Sequence, residues 1–300
     1  MANGIFVGLS TIDLVYNVDE FPEANTKIVA HSQDLFAGGP ATNAAIAFRH
    51  LGGNPTLVTA VGRHALAGAI KEELQRHSIS LIDLKPSFDQ PPSISSIYVN
   101  SAGERNVVSA NATRIAAPPA QIDESVLAQA SIVLVDGHSM QACQAWARAA
   151  RARAIPVVLD GGSWKDGTRE LLASIDAVIC SADFRPPGCF NEDDALRYLL
   201  DCGVACIAIT CGANPVRFVS GAISGIVPVP QVERVDTMGA GDIFHGAYCY
   251  YAASGHGFEW ALREAAKVAS DSCRFHGTRQ WMQRSTFRQT VRGNSASPAR

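Results

Sequence analysis

The chain has 300 residues, 47% hydrophobic and 18% charged, which is enough apolar material for a packed core and excludes a disordered chain. Lys and Arg number 25 against 28 Asp and Glu, a formal balance of −3, so the basic excess that a phosphate backbone demands is missing and no nucleic-acid partner is expected. No stretch approaches the roughly 18 apolar residues of a membrane span, and no basic, apolar, small-residue leader follows Met1, so no membrane partner is expected and the cytoplasm is the expected compartment.

In chain order, Gly4–Leu9 reads as a strand, and residues from about 13 to 36 as short alternating strands with turn chemistry. The run Gly38-Gly39-Pro40-Ala41-Thr42-Asn43 opens the helix-like stretch Ala41–Leu51, and Gly52 stands where a C′ glycine belongs. A strand over Thr56–Val61 and a helix over Leu66–His77 follow. Within about 92–110, Ile94, Ile97 and Val99 precede the turn Asn100-Ser101-Ala102-Gly103, and Val107-Val108 come after it, which predicts a hairpin. Beyond it come strands over Ile132–Asp136, Pro156–Asp160, Ala177–Cys180 and Val204–Thr210. Helices are predicted over Met140–Arg153 with Ser139 as N-cap, Asp193–Asp201 closed by Gly203, Gly241–Ala253 and Phe258–Phe275. Residues 283–300 form a polar, basic tail. Alternating strands and helices predict an α/β chain with a mostly parallel sheet covered on both faces. The two extended segments predict a small sheet over one edge, which in an enzyme is a candidate lid.

The densest chemistry lies in Asp236-Thr237-Met238-Gly239-Ala240-Gly241-Asp242, directly before a helix. Small residues at a helix start let bare N–H groups approach an anion, and the helix dipole adds to their pull. Such a pocket suits a phosphoryl group in transfer, and Asp242 in the first turn could take the proton of an attacking hydroxyl. The same residues also fit a plain glycine-rich turn. Upstream, Asp13 follows the first strand, where ligands gather in parallel sheets. The pair Gly38-Gly39 permits close backbone approach, and Asn43 offers both a donor and an acceptor. Asp13 with Asn43 is a reasonable grip on vicinal hydroxyls, although a capped turn and a flexible connection explain them too. Other templates fail. The Walker loop is absent, and Phe244 stands where a dinucleotide fingerprint needs its third glycine. Ser139 lacks the second glycine of a nucleophile elbow. Eight cysteines contain no C-x-x-C, and eight histidines no H-E-x-x-H, so a Cys/His metal site is not expected.

Asp236–Asp242 resembles the D-T-x-G-A-G-D signature of the PfkB/ribokinase family of carbohydrate kinases, and Gly38-Gly39 with Asn43 resembles its N-terminal signature. The resemblance covers about residues 4–282. It implies a three-layer ribokinase-like α/β domain over 1–282, with a lid from about 13–36 and 92–110, often used for homodimerisation. It implies Asp242 as catalytic base, Gly239, Ala240 and Gly241 as anion hole, and Asp13, Gly38, Gly39 and Asn43 on sugar hydroxyls. Thr210-Cys211-Gly212 falls on the family's T-x-G-x-x-G segment, so Thr210 and Gly212 are expected at the nucleotide. ATP and Mg²⁺ are implied, and a monovalent cation is left open. Two departures stand out: Pro215 replaces the second glycine of T-x-G-x-x-G, and Ser181-Ala182-Asp183-Phe184 replaces the Mg²⁺-linked N-x-x-E. The metal ligands are therefore unknown; Asp183 or Asp160 could substitute through water. The stretch Val7–Gly52 resembles the ketohexokinase and sulfofructose-kinase-like branch, where Arg105 would fall near the substrate and could grip an anionic group or bond neutral hydroxyls. The expected activity is ATP-dependent phosphorylation of a primary hydroxyl on a small carbohydrate, a ketose or ketose derivative. A nucleoside kinase and a catalytically weak binding homologue are the alternatives.

Overall fold

Successive residues of a strand face opposite sides of a sheet, and the first strand, β1 (Asn3–Val7), does so with apolar groups on both sides. Phe6 enters one buried cluster, while Ile5 and Val7 enter another. Apolar residues on both faces require cover on both faces. The computed structural model describes residues 1–110, 122–284 and 287. After β1 come β2 (Thr11–Asn17), β3 (Ser32–Gly38), α1 (Pro40–His50), β4 (Asn54–Thr59), α2 (Ala67–Arg76), β5 (Ser80–Asp83), β6 (Ile94–Val99) and β7 (Arg105–Ser109). The chain continues through α3 (Glu124–Leu127), β8 (Ile132–Val135), α4 (Met140–Arg151), β9 (Val157–Gly161), α5 (Thr168–Leu172), β10 (Ala177–Ser181), α6 (Glu192–Asp201) and β11 (Cys206–Cys211). It closes with β12 (Asn214–Ser220), β13 (Ile223–Val227), α7 (Ala240–Ala253), α8 (Phe258–Ser272) and α9 (Trp281–Arg284).

Nine strands form one sheet in the order β13-β12-β11-β10-β9-β8-β1-β4-β5, parallel except for the β11-β12-β13 edge. Residues of α1, α2, α7 and α8 bury against one face, and residues of α4, α5 and α6 against the other. The order runs one way from β1 to β4 and β5 and the other way from β8 to β11, so the switch point falls between β1 and β8, where ligands of open α/β sheets bind. A second sheet, β3-β2-β6-β7, contains both extended segments and the predicted hairpin.

Gly52 and Gly203 take the positive φ of C′ glycines, 106° and 80°. Ser139 stands at the N-cap of α4, but its hydroxyl caps nothing; Cys143 bonds to its carbonyl instead. Asp13 comes after β1 and sits inside β2, which opens the small sheet. Of the predicted tail, only 283, 284 and 287 fall within the described residues. Helices α1 and α7 cross closely because small residues line the contact: Ala41, Ala44, Ala45 and Ala47 are buried on α1. A Cβ on Gly246 of α7 would lie 2.2 Å from the Ala44 carbonyl oxygen.

Candidate active site

At the switch point Asp136 follows β8, and its carboxylate accepts from the backbone N–H of Leu9 (2.8 Å), His138 (2.9 Å) and Ala41 (3.3 Å). This buried group ties the loop after β1 to the start of α1, and any Cβ on Gly8 would collide with it. The next two glycines are spatial necessities of the same kind. Gly39 has φ 95°, and a Cβ there would meet the Leu9 carbonyl oxygen at 2.3 Å. A Cβ on Gly38 would lie 1.9 Å from Asp13 Oδ2. The glycine pair thus makes room for the protein's own groups, and Asp13 is held beside it by a 2.7 Å bond from the Thr11 hydroxyl. Burial pushes the Asp13 carboxyl above the ordinary carboxylate range, with the Thr11 bond opposing.

The loop before α7 is shaped by Asp236, whose two carboxylate oxygens accept from Met238 N and Gly277 N, each at 2.8 Å. Gly239 then takes the left-handed conformation, φ 68°, as N-cap without a side-chain cap. The N–H of Ala240 donates to the Thr237 carbonyl at 3.2 Å; the first amides of a helix otherwise have no partner within it. In that first turn Asp242 accepts from Asn43 Nδ2 at 2.8 Å. Burial, and then the nearby Asp160 carboxylate, push Asp242 up to about 7, opposed by the Asn43 bond and by His245.

Asn43 is held from its other end as well. Arg279 donates from Nη1 to Asn43 Oδ1 (3.0 Å), from Nε to Glu73 Oε1 (2.7 Å), and from Nη2 to the Ala37 carbonyl. Glu73 in turn accepts from Ala37 N. Below α7, His245 sets Nδ1 2.7 Å from the Gly241 carbonyl and Nε2 3.0 Å from the Ile179 carbonyl. Asp160 Oδ2 lies 3.4 Å from His245 Nδ1, so the ring joins the carbonyls of two elements beside a buried carboxyl.

A cleft of about 570 Å³ opens at the start of α7 and brings together Thr210, Gly212, Ala240, Gly241, Arg105 and Asp183. Thr210 donates its hydroxyl to the Cys180 carbonyl at 3.3 Å. Gly212, with φ 54°, would project any side chain into open space. Arg105, expected near the substrate, lines this cleft with Thr210 and Gly212. Asp13, Gly38, Asn43 and Asp242 make up a separate cluster behind the first turn of α7. Pro215 is the second residue of β12, and so falls on the strand after the turn.

In the altered metal motif, Ser181 Oγ accepts from Asp183 N at 3.1 Å, and Phe184 is buried against Trp164. Asp183 is exposed on the cleft wall. Asp160 is turned into the core against His245, where burial raises its carboxyl above the ordinary range, so it does not offer a ligand to the cleft. Among the described residues no group of three or more His, Cys, Asp or Glu could hold a metal. A lone carboxylate fits Mg²⁺ that keeps its waters and is carried on phosphate oxygens.

Glu73, Arg279, Asp136 and His245 escaped sequence reasoning. Glu73 left one trace: it shares an apolar helical stripe with Ile70 and Leu74, where a carboxylate has no business without a partner. Arg279 left none.

A model of the pfkB family carbohydrate kinases matches residues 1–284. The chain is 25% identical to a ribokinase of Bacillus subtilis (strain 168) over 287 residues, 92% of this chain and 94% of the relative. It is 25% identical to an aminoimidazole riboside kinase of Salmonella typhimurium over 272 residues, 84% and 85% of the two chains. Among solved structures, a putative ribokinase from Agrobacterium tumefaciens superposes with TM-score 0.84 at 24% identity, over 94% of this chain and 98% of that one. Arabidopsis thaliana ribokinase complexed with ribose and ATP gives 0.72 at 21%, over 92% and 93%. The fold is ribokinase-like. The chain belongs to the pfkB family of carbohydrate kinases and is a phosphotransferase.

Proposed function

We propose that the chain transfers the terminal phosphoryl group of ATP to a primary hydroxyl of a small neutral sugar of the ribose type, in the cytoplasm. One observation carries this reading: Asp242 projects from the first turn of α7 toward Asn43, while the amide end of that same turn opens on the cleft. Sugar and nucleotide then meet across a single helix start. Asp242 takes the hydroxyl proton, and the Gly239, Ala240 and Gly241 backbone stabilises the transferring group. Asp13 and Asn43 hold sugar hydroxyls in a pocket shaped by Gly38 and Gly39, and Thr210 and Gly212 line the nucleotide, with Arg105 as a cation over its phosphates. Mg²⁺ would neutralise those phosphates, with Asp183 as its candidate water-mediated contact. A monovalent cation has no residue here to argue for it.

The substrate class follows from charge. Asp13 and Asp242 face the sugar side, while Arg279 is spent on Glu73, Asn43 and backbone, so among these described residues an anionic sugar gains no free cation. That weighs against a sulfonated or phosphorylated ketose. The relative named for ribose supports a pentose over the ketose that Val7–Gly52 suggested. A nucleoside substrate is the second reading, supported by the relative named for aminoimidazole riboside. Leu35, Val107 and Val108 are exposed on the small sheet, which supports pairing of two copies through the lid; light scattering at assay concentration tests it.

The experiment measures ADP release with ATP and Mg²⁺ across pentoses, ketohexoses, sugar acids and nucleosides, beside Asp242→Asn. Turnover on a pentose, falling roughly 10²–10⁴-fold in the variant, is expected. Preference for a nucleoside or ketose replaces the substrate assignment. Silence across the panel with ATP bound favours a non-catalytic homologue.

A further inference from the structure

The amide of Asn43 can be turned either way, since its oxygen and nitrogen occupy nearly the same space. Only one orientation suits this site. Arg279 has donors and no acceptors, so the atom facing its Nη1 must be the Asn43 oxygen. The Asn43 nitrogen is thereby left to face Asp242 Oδ2. Arg279 is fixed in its turn by Glu73, by the Ala37 carbonyl and by the Phe36 ring beneath the guanidinium. We infer that Arg279, locked by Glu73, is a positioning residue for the phosphoryl transfer: it orients Asn43 so that Asp242 always receives a donor.

This rests on the assignment of Asp242 as base, but the link itself can be read without turnover. A carboxylate that accepts a hydrogen bond is favoured in its ionised form. If Asn43 turns over, its oxygen faces Asp242 and repels the ionised carboxylate, so the base holds its proton to higher pH. Around Asp242 stand Asp160 from β9, His245 from its own helix and Asp13 from β2. None of these belongs to the Glu73–Arg279 pair. Arg279 and Glu73 also act through space on Asp13, the guanidinium more strongly than the carboxylate; that influence persists when Asn43 is cut back, so the Asn43→Ala background separates it from the turning of the amide.

Arg279→Met alone strands a buried Glu73 and is prone to fold poorly. The test therefore combines Glu73→Gln with Arg279→Met; the introduced side-chain amide can still accept from Ala37 N, and a native melting curve is the check on folding. Asp242 is followed by carboxyl ¹³C NMR on aspartate-labelled protein, assigned by the signal that Asp242→Asn removes. A rise of about one pH unit in its midpoint is expected, together with the same rise in the acid limb of kcat and about a fivefold loss of kcat at pH 7. Arg279→Lys, which keeps a donor for Asn43 and a cation for Glu73, is expected to bring the midpoint back toward the native one. In an Asn43→Ala background the paired substitution is expected to add nothing. A folded double variant with the native midpoint overturns the inference, and so does an equal rise in the Asn43→Ala background. A chain that turns over no substrate would sink the kinase reading alone, because the NMR titration still decides the Arg279 link.

Discussion

Alanine at Gly246 would put a methyl carbon 2.2 Å from the Ala44 carbonyl oxygen and 2.9 Å from Ala44 C and Cα. Ordinary contact begins near 3.4 Å, so the methyl is about 1.2 Å too close. All three obstacles are backbone, so no rotamer relieves them and α1 must part from α7. Overpacking of this kind costs about 3 kcal/mol at its upper end. The better helix propensity of alanine offsets about 1 kcal/mol, leaving a net loss of about 2 kcal/mol, or about 4 °C of melting temperature in a chain of this length. The same parting acts on the site. Asn43 neighbours Ala44, and Asp242 lies one turn before Gly246, so their 2.8 Å bond stretches beyond hydrogen-bond range. A lost bond to a charged group is worth about 1.5–3 kcal/mol, which means kcat/KM falls roughly 10- to 100-fold. Thermal melts and steady-state rates measure both effects. A Gly246→Ala protein with native melting temperature and native kcat/KM would refute the argument that this crossing sets the Asn43–Asp242 contact.

The Asp242 carboxyl is raised in the folded chain from 3.8 to about 7, so between those values the folded state binds the extra proton and stability falls as pH rises. Asp242→Asn removes that penalty: the variant should melt higher than the native chain at pH 8, with the gap closing toward pH 4, and a gap constant with pH counts against the shift. Native kcat/KM should fall on the acid side with a limb near pH 7 in the free enzyme; a flat profile down to pH 5 counts against a base whose carboxyl is raised that far. Asp13→Ala should raise KM for the sugar about 10- to 100-fold with KM for ATP unchanged, and isothermal titration with each ligand separates the two. Gly212→Val forces a branched side chain into a left-handed position that opens on the cleft, so KM for ATP should rise about tenfold while sugar binding stays native; equal losses for both ligands would contradict the assignment of that wall.

Much of the architecture was legible because the signals are local. Buried parallel strands such as Ile132–Val135 are continuous apolar runs, and Gly52 and Gly203 mark helix ends by their own conformational freedom. The hairpin around Asn100–Gly103 was readable from turn chemistry. Less visible were β12, where buried Val216 and Phe218 alternate with exposed residues, and the edge strand β13, exposed except at Val227, so neither offers a buried apolar run. The candidate site divides along the same line. Asp242 and its glycines announce themselves by spacing within one segment, whereas Glu73 and Arg279 are 206 positions apart and become partners only after folding. Arg105 comes to the cleft from a hairpin whose own sequence does not say which rim its neighbouring strand will overhang.

Asp136 has a mechanical consequence. The chain leaves the large sheet through Leu9 and enters α1 at Ala41, and both amides are pinned to this one carboxylate. The small sheet is therefore tethered at this point to the switch point of the large one. Asp13 sits two residues into β2, whereas Gly103, whose built Cβ would lie 3.1 Å from the Val235 carbonyl, rides at the far tip. On the proposed reading the sugar's carboxylate partner is thus set close to the tether, while the hairpin tip rests against the segment that leads into Asp236.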